Sequence, residues 1–367
     1  MIKLIKEKRK TPVLKPPAFD CLKGTPAINV TRGCLHSCVY CYARGFTDAP
    51  PRGEVHLYEN LPEMLERELD RKRRLPSWIS FSTASDAFQE MDEILKTTYA
   101  VMKLLLERDI GISFLTKGFI PNEFIELFKR YPSRSPLIKG GSKRGIKARI
   151  GMVSLAEDYR KLFEPFSAHP LKRLLNIRNL IDAGIDVSVR IDPVIPPFPT
   201  LKSPSNPPLI NNPPSPPFSK GGLEGLSLSQ RGVWGDSGGF SEESMEHLIK
   251  RLKAAGVENI SISSLVMRPS IMNQFLSELP FGLAKEILKH YNGQPYQRVI
   301  TSAKTRLLPK AMRIIQYRSI KNIASRYGIK CYTCGCKNPD IPWEFCNPWI
   351  SEKKALNINN RQFSLFT

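Results

Sequence analysis

The chain has 367 residues, 41% of them hydrophobic, and 55 Lys and Arg against 34 Asp and Glu give a formal charge of +21. That is enough apolar material for a large core in one or two domains, and the positive excess favours polyanions such as nucleic acid through long-range attraction. No apolar run approaches the ~18 residues a membrane span needs. Met1 to Lys10 is charged with no apolar segment after it, so it does not read as a signal peptide; the expectation is a cytoplasmic protein without membrane contact.

Residues 1–25 are basic and contain proline, and read as an arm lying over the main domain or bound to a partner, with Cys21 a plain thiol. Ala27 to Thr31 reads as the first strand. Directly after it, Gly33-Cys-Leu-His-Ser-Cys-Val-Tyr-Cys-Tyr42 sets Cys34, Cys38 and Cys41 at Cys-x3-Cys-x2-Cys spacing. Clustered cysteines in a chain without an export signal point to metal ligation rather than disulfides. Three thiolates on one loop can hold three irons of a 4Fe–4S cube and leave the fourth iron open. The same trio could instead serve zinc, with His36 or a distant residue as fourth ligand. His36 is otherwise expected to be a solvated loop residue.

Helices are expected at about 60–73, where Leu61, Met64, Leu65 and Leu69 fall at helical spacing, then over 94–107 and 121–130. Strands are expected at 78–82 and 110–115. Tyr131 to Lys147 and Pro196 to about Gly239 are rich in Pro, Gly and Ser, and such composition cannot bury enough apolar surface to order itself. Both stretches contain related text, Ser135-Pro-Leu-Ile-Lys-Gly-Gly141 and Ser215-Pro-Pro-Phe-Ser-Lys-Gly-Gly222, as two copies of one inserted repeat would. Between and after them lie strands at 148–154, 185–192 and 258–264 and helices at 168–183, 241–255 and 281–291.

With the insertions set aside, strand and helix alternate about six times, which implies a parallel α/β sheet with helices outside; a doubly wound open sheet fits the pattern as well as a barrel. Several strands alternate apolar with polar residues: Ile79 and Phe81 with Ser80 and Ser82, Val187, Val189 and Ile191 with Ser188, Arg190 and Asp192, Ile260 and Ile262 with Ser261 and Ser263. Parallel strands buried on both faces are normally apolar throughout. A polar inner face therefore argues for a cavity holding a polar ligand.

The cysteine loop, with an aromatic before its last cysteine, resembles the signature of the radical S-adenosylmethionine (SAM) superfamily. The strand-end strings Ser82-Thr-Ala-Ser-Asp86, Thr116-Lys117, Ser154, Arg190 to Pro196, and Ser263-Ser264 to Arg268 resemble its branch related to spore photoproduct lyase, called DNA repair photolyase-like. The resemblance covers roughly residues 26–290. It implies a partial (β/α)6 TIM-like barrel, with 131–147 and 196–239 inserted and 291–367 a basic helix plus a cysteine-rich C-terminal extension. It implies a 4Fe–4S cluster on Cys34, Cys38 and Cys41 whose open iron binds SAM, and a 5′-deoxyadenosyl radical made from it. A reductant of flavodoxin or ferredoxin type would supply the electron. By the same likeness Tyr40 would lie along the adenine, Ser85 and Asp86 near the SAM amine, Lys117 at its carboxylate and Ser154 at its ribose, with Arg190 also facing SAM. The chain departs from that branch in one respect: Thr83 and Ala84 stand where a hydrogen-donating cysteine would precede the Ser-Asp pair, and no cysteine occurs between Cys41 and Cys331. Tyr42 is one residue that could substitute.

Near the C-terminus, Pro309 to Tyr327 reads as a basic helix. Cys331, Cys334, Cys336 and Cys346 follow at Cys-x2-Cys-x-Cys-x9-Cys spacing, suited to a second 4Fe–4S cluster or to zinc. Trp343, Phe345 and Trp349 could stack on bases or pack such a knot. The expected function is a radical SAM enzyme, lyase or transferase-like, that abstracts hydrogen from a large anionic substrate, nucleic acid among the candidates. The alternative is a non-enzymatic nucleic-acid-binding protein with structural metal sites.

Overall fold

A computed structural model describes residues 2–17, 22, 24–132, 145–199, 237–299 and 304–341. The elements in chain order are β1 (Lys3–Glu7), β2 (Ala27–Ile28), β3 (Thr31–Arg32), β4 (Glu54–Tyr58), α1 (Leu61–Asp70), β5 (Trp78–Phe81), α2 (Asp92–Glu107), β6 (Gly111–Thr116), α3 (Asn122–Lys129), β7 (Ile146–Gly151), α4 (Glu157–Phe163), α5 (Pro170–Asp182), β8 (Asp186–Val194), β9 (Phe198–Pro199), β10 (Ser237–Gly238), α6 (Glu242–Ala254), β11 (Asn259–Ser264), α7 (Pro269–Glu278), α8 (Phe281–Lys289), β12 (Gln297–Arg298), β13 (Lys304–Thr305), α9 (Lys310–Arg326) and β14 (Lys330–Thr333).

Seven strands form one sheet in the order β14-β11-β8-β7-β6-β5-β2. Every neighbouring pair in it is parallel. Sequential strands lie side by side with helices between them, the partial TIM-barrel arrangement, open between β2 and β14 among the described residues. The last strand comes from an unexpected place. Residues 330–333, read from sequence as part of an extension, pair with β11 as the sheet's edge, with Cys331 opposite Ile260.

The helices form for ordinary reasons. In α1, Leu61, Leu65 and Leu69 recur every fourth residue and are fully buried. In α2, Asp92 and Glu93 occupy the first turn, where the helix dipole favours negative charge, and Ile94, Val101, Met102 and Leu105 face the sheet. Two helices, α4 and α7, and the strand β4 were not anticipated from sequence.

The N-terminal arm contains a strand, β1. β1 pairs in parallel with β4, and β3 pairs with β4 from the other side. Val13 behind it is buried, and its N–H donates to Glu68 Oε2 at 2.7 Å. The insertion boundaries also differ slightly from the composition reading. β7 begins at Ile146, and β9 pairs antiparallel with β10, Phe198 opposite Gly238 and Pro199 opposite Ser237. Cys21, most of both insertions, and Trp343, Phe345, Cys346 and Trp349 lie outside the described residues. Among the described residues no helix is long and apolar enough to cross a membrane.

Candidate active site

The barrel interior is a cavity of about 650 Å³. Its walls follow the two-residue period of the strands. Ser80 and Ser82 of β5 and its end, Ser113 and Leu115 of β6, Lys147, Arg149 and Gly151 of β7, and Arg190 and Asp192 of β8 all face it. The polar inner face expected from sequence therefore lines a cavity on β5 and β8. It does not on β11. There Ser261, opposite Arg190 and so on the same face, and Ser263 are buried and do not reach the open volume, and the strand end is closed by α9, where the Ser264 N–H donates to Tyr317 Oη at 2.8 Å.

Cys34, Cys38 and Cys41 line one end of this cavity, and none of them is in a disulfide. Their loop is built from several restraints. Gly33 has φ +80°, and a Cβ there would meet Pro50 Cγ at 2.6 Å, so only glycine fits. Ser37 also takes a positive φ of 46°, curling the chain between His36 and Cys38. The Leu35 N–H donates to Gln89 Oε1 at 2.7 Å, and Gln89 Nε2 donates in turn to Thr31 Oγ1. Farther along, the Val39 N–H reaches Phe163 O at 3.0 Å, and Gln274 Nε2 donates to Cys41 O at 3.2 Å.

His36 is not solvated. It is 4% exposed, with Nδ1 3.3 Å from Asp86 Oδ2. Burial pushes its pKa down, but the charges of Cys34 and Asp86 outweigh this and raise it to about 10. Asp86 also accepts from the N–H groups of Phe88 and Lys117 and from Thr116 Oγ1, at 2.9, 2.8 and 2.7 Å. Burial would raise its pKa, yet the His36 charge and these donors bring it below the usual carboxylate range. Asp86 thus ties the cysteine loop to the ends of β5 and β6. Ser85, beside it, donates to Thr31 O at 2.8 Å.

Tyr40 is buried against the cavity, and its hydroxyl donates to Glu164. Glu164 is also paired with Arg173 Nη2 at 2.5 Å, both fully buried. Burial would raise the Glu164 pKa; Arg173 and Lys117 bring it below normal. Lys117 Nζ lies 5.0 Å from the centre of the Tyr40 ring. Burial disfavours its charge, but Cys38 and Glu164 nearby hold its pKa above the ordinary lysine value. Tyr42 donates to Thr83 O, and the Arg268 guanidinium sits 5.1 Å from its ring centre.

Of the residues singled out from sequence, Tyr40, Ser85, Asp86, Lys117 and Arg190 meet at the cavity with the three cysteines. Ser154 is not among the cavity's lining; its Oγ accepts from the Ala156 N–H at 3.1 Å, next to the start of α4. Arg268, from the strand end 263–268 singled out in the sequence, lines the cavity as well, and so does His36; Gln89, Glu164 and Arg173 were missed. Gln89 lies close enough to the Ser-Asp string to have been noticed, whereas Glu164 and Arg173 sit in no pattern and reach the loop only through the fold.

Cys334 and Cys336 also line the cavity, and Cys331 does not. Cys331 sits three residues earlier on β14 and packs against the hydrophobic core. The four-ligand knot expected from spacing is therefore not gathered among the described residues, and Cys346 lies outside them.

Among the described residues, no three His, Cys, Asp or Glu side chains converge as ligands of one ion. A zinc site needs its donors ~2.3 Å from a single point. In a 4Fe–4S cube each thiolate takes its own iron, so three sulfurs spaced along one loop at one cavity are a suitable donor set. Burial raises the pKa of Cys38, against the opposing charge of Lys117, and also that of Cys41. Metal loading must therefore displace their protons.

Residues 28–199 match the model of the radical SAM superfamily. An uncharacterized protein of Methanocaldococcus jannaschii is 28% identical over 199 residues, 53% of this chain and 69% of that protein. An uncharacterized protein of Mycobacterium bovis is 26% identical over 198 residues, and the chain spans about half of its length, 54%. A radical SAM Nalpha-GlyT isomerase of Pseudomonas phage M6 is 25% identical over 167 residues, 44% of this chain and 32% of that one. Among solved structures, spore photoproduct lyase complexed with dinucleoside spore photoproduct gives a TM-score of 0.53 at 13% identity, covering 90% of this chain and 82% of that one. A cysteine-to-serine mutant of spore photoproduct lyase gives 0.55 at 14% identity, with the same coverages of 90% and 82%. At such identities the likeness is one of fold.

Proposed function

Because the chain belongs to the radical SAM superfamily of enzymes, we propose that it abstracts hydrogen from an anionic substrate of nucleic-acid type that enters the barrel cavity. The observation that carries this reading is one cavity holding both the cysteine trio and an excess of positive charge. Lys117, Lys147, Arg149, Arg190, Arg268 and Lys337 line it against Asp86 and Asp192. The formal charge of +21 supports the same class of substrate, and one neighbour of the same fold was solved with a dinucleoside spore photoproduct.

Superfamily membership implies a 4Fe–4S cluster and SAM, and Cys34, Cys38 and Cys41 would hold the cluster. When bound, the pair supplies one-electron cleavage of the sulfonium and so a hydrogen-abstracting radical. The chain's own residues bind and orient around it. Lys117, cationic and lining the cavity, is suited to the SAM carboxylate. Tyr40, its hydroxyl fixed by Glu164, offers a ring beside the same lysine. Ser85 and Asp86, whose side chains bond to Thr31, Thr116 and His36, act by positioning the loop. Arg190 and Arg268 are suited to the phosphates or other anionic groups of the substrate. A reductant of flavodoxin or ferredoxin type is the implied electron source.

The test is deuterium transfer. Anaerobic protein loaded with iron and sulfide, then given SAM, dithionite and a deuterated oligonucleotide, should yield deuterated 5′-deoxyadenosine. A product that stays unlabelled with DNA and RNA substrates, single- and double-stranded, would remove nucleic acid from the proposal.

A further inference from the structure

The turn after β14 returns to the cavity. Cys334 is 2% exposed on its wall, and Cys336 is half-buried beside it. The turn is firmly held. The Cys334 N–H donates to Ile262 O at 3.0 Å, and Asn338 Nδ2 donates to Cys334 O at 2.7 Å. Asn338 is fixed in turn by Arg313 and Tyr317 of α9, at 2.8 and 3.0 Å. Lys337 Nζ bridges to both carboxylate oxygens of Asp192 at 2.6 and 2.7 Å. Arg190 Nη2 lies 3.7 Å from Cys334 Sγ as a donor. Far apart in sequence, the C-terminal sulfurs and the N-terminal cysteine loop thus share one chamber.

We infer that Cys334 is a hydrogen-atom donor to a substrate radical formed in this cavity, with Cys336 as the second sulfur available there; this rests on the radical reading above. Two observations point to it. The hydroxyls of Tyr40 and Tyr42, the other weakly held hydrogens lining the cavity near the loop, are directed into Glu164 and the Thr83 carbonyl. And β14 divides the cysteines, turning Cys331 to the core and leaving Cys334 and Cys336 at the chamber.

In the step itself the Cys334 S–H bond breaks homolytically, a C–H bond forms on the substrate carbon, and a neutral thiyl remains. One electron from a flavodoxin- or ferredoxin-type reductant and one proton from solvent restore the thiol. Arg190 orients the sulfur, and the Lys337–Asp192 bridge holds the turn in place.

The experiment uses the full chain loaded with iron and sulfide without oxygen. Iodoacetamide labelling followed by mass spectrometry should modify Cys336 after loading while Cys34, Cys38 and Cys41 are protected. Iron content should be the same in wild type, Cys334→Ser and the Cys334→Ser/Cys336→Ser double variant. Protection of Cys336 on loading, or loss of iron in either variant, would make these sulfurs metal ligands and overturn the inference. The same proteins are then given SAM, dithionite and an oligonucleotide in deuterium oxide, where thiols exchange to S–D. Wild type should place carbon-bound deuterium in the recovered oligonucleotide, and the double variant roughly fivefold less; an unlabelled oligonucleotide from wild type that does release 5′-deoxyadenosine overturns the donor role. Equal labelling in both overturns the donor role alone. No 5′-deoxyadenosine from wild type overturns the radical reading and this inference together.

Discussion

Asp86 shows how much a single side chain can organise. Its carboxylate joins His36 of the cysteine loop to the backbone after β6 and to Thr116. Asp86→Asn should destabilise the fold by about 3 kcal/mol, as breaking one side of a buried charge pair does, and denaturant unfolding would measure it. Gly33→Ala forces a Cβ into Pro50 at a positive φ and should cost roughly 1–3 kcal/mol while lowering iron retention; an unchanged midpoint and iron content would contradict the loop geometry. Glu164 gives a pH dependence. Its pKa is lowered on folding, because Arg173 and Lys117 outweigh burial. Its contribution is therefore full above the unfolded value of about 4.3 and is lost as pH falls through the lower folded value. The stability gap between wild type and Glu164→Gln should be level near neutrality and shrink in acid; a gap that widens in acid would refute the pairing. At this scale the cysteines were legible because ligand spacing is local. His36 was misread because nothing nearby in sequence announces that Asp86, fifty residues later, buries it.

The period-two alternation along the strands carried more information than any motif except the cysteine loop. Ser80, Arg190 and Asp192 were legible as lumen residues because a strand's two faces separate strictly. On β11 the pattern gave the facing, since Ser261 lies opposite Arg190, but not the depth: Ser261 and Ser263 are buried below the open volume, and nothing in the pattern reveals that. β14 itself was hidden by its length of four residues and by Cys331, which drew the reading to a ligand motif instead of to an edge strand. The β9–β10 ladder brings Pro199 opposite Ser237, so the intervening residues can be replaced by a two-residue turn. We expect a chain with 200–236 replaced by Asn-Gly to melt within about 2 °C of wild type and to load the same iron. Failure to fold would show that the segment contributes to the barrel.

Across the whole molecule, charge and cavity point the same way. Non-specific association with polyanions should fall steeply with salt, and Lys147→Ala/Arg149→Ala should reduce the slope of log K against log salt by up to about 2 for a substrate that enters the lumen; an unchanged slope would put the contact on the outer surface instead. Domain class and parallel topology could be read from strand–helix alternation, because βαβ units fix their own connectivity. The meeting of the cysteine loop and the turn after β14 at one chamber could not, since it depends on which edge that strand joins.

Iron and 5′-deoxyadenosine measured on the same preparation test the centre of this account most directly. Wild-type protein loaded without oxygen should hold about four irons per chain and release 5′-deoxyadenosine from SAM on reduction, and Cys38→Ala should do neither. A wild-type chain that stays colourless and iron-free, or a Cys38→Ala variant that cleaves SAM as well as wild type, would contradict it.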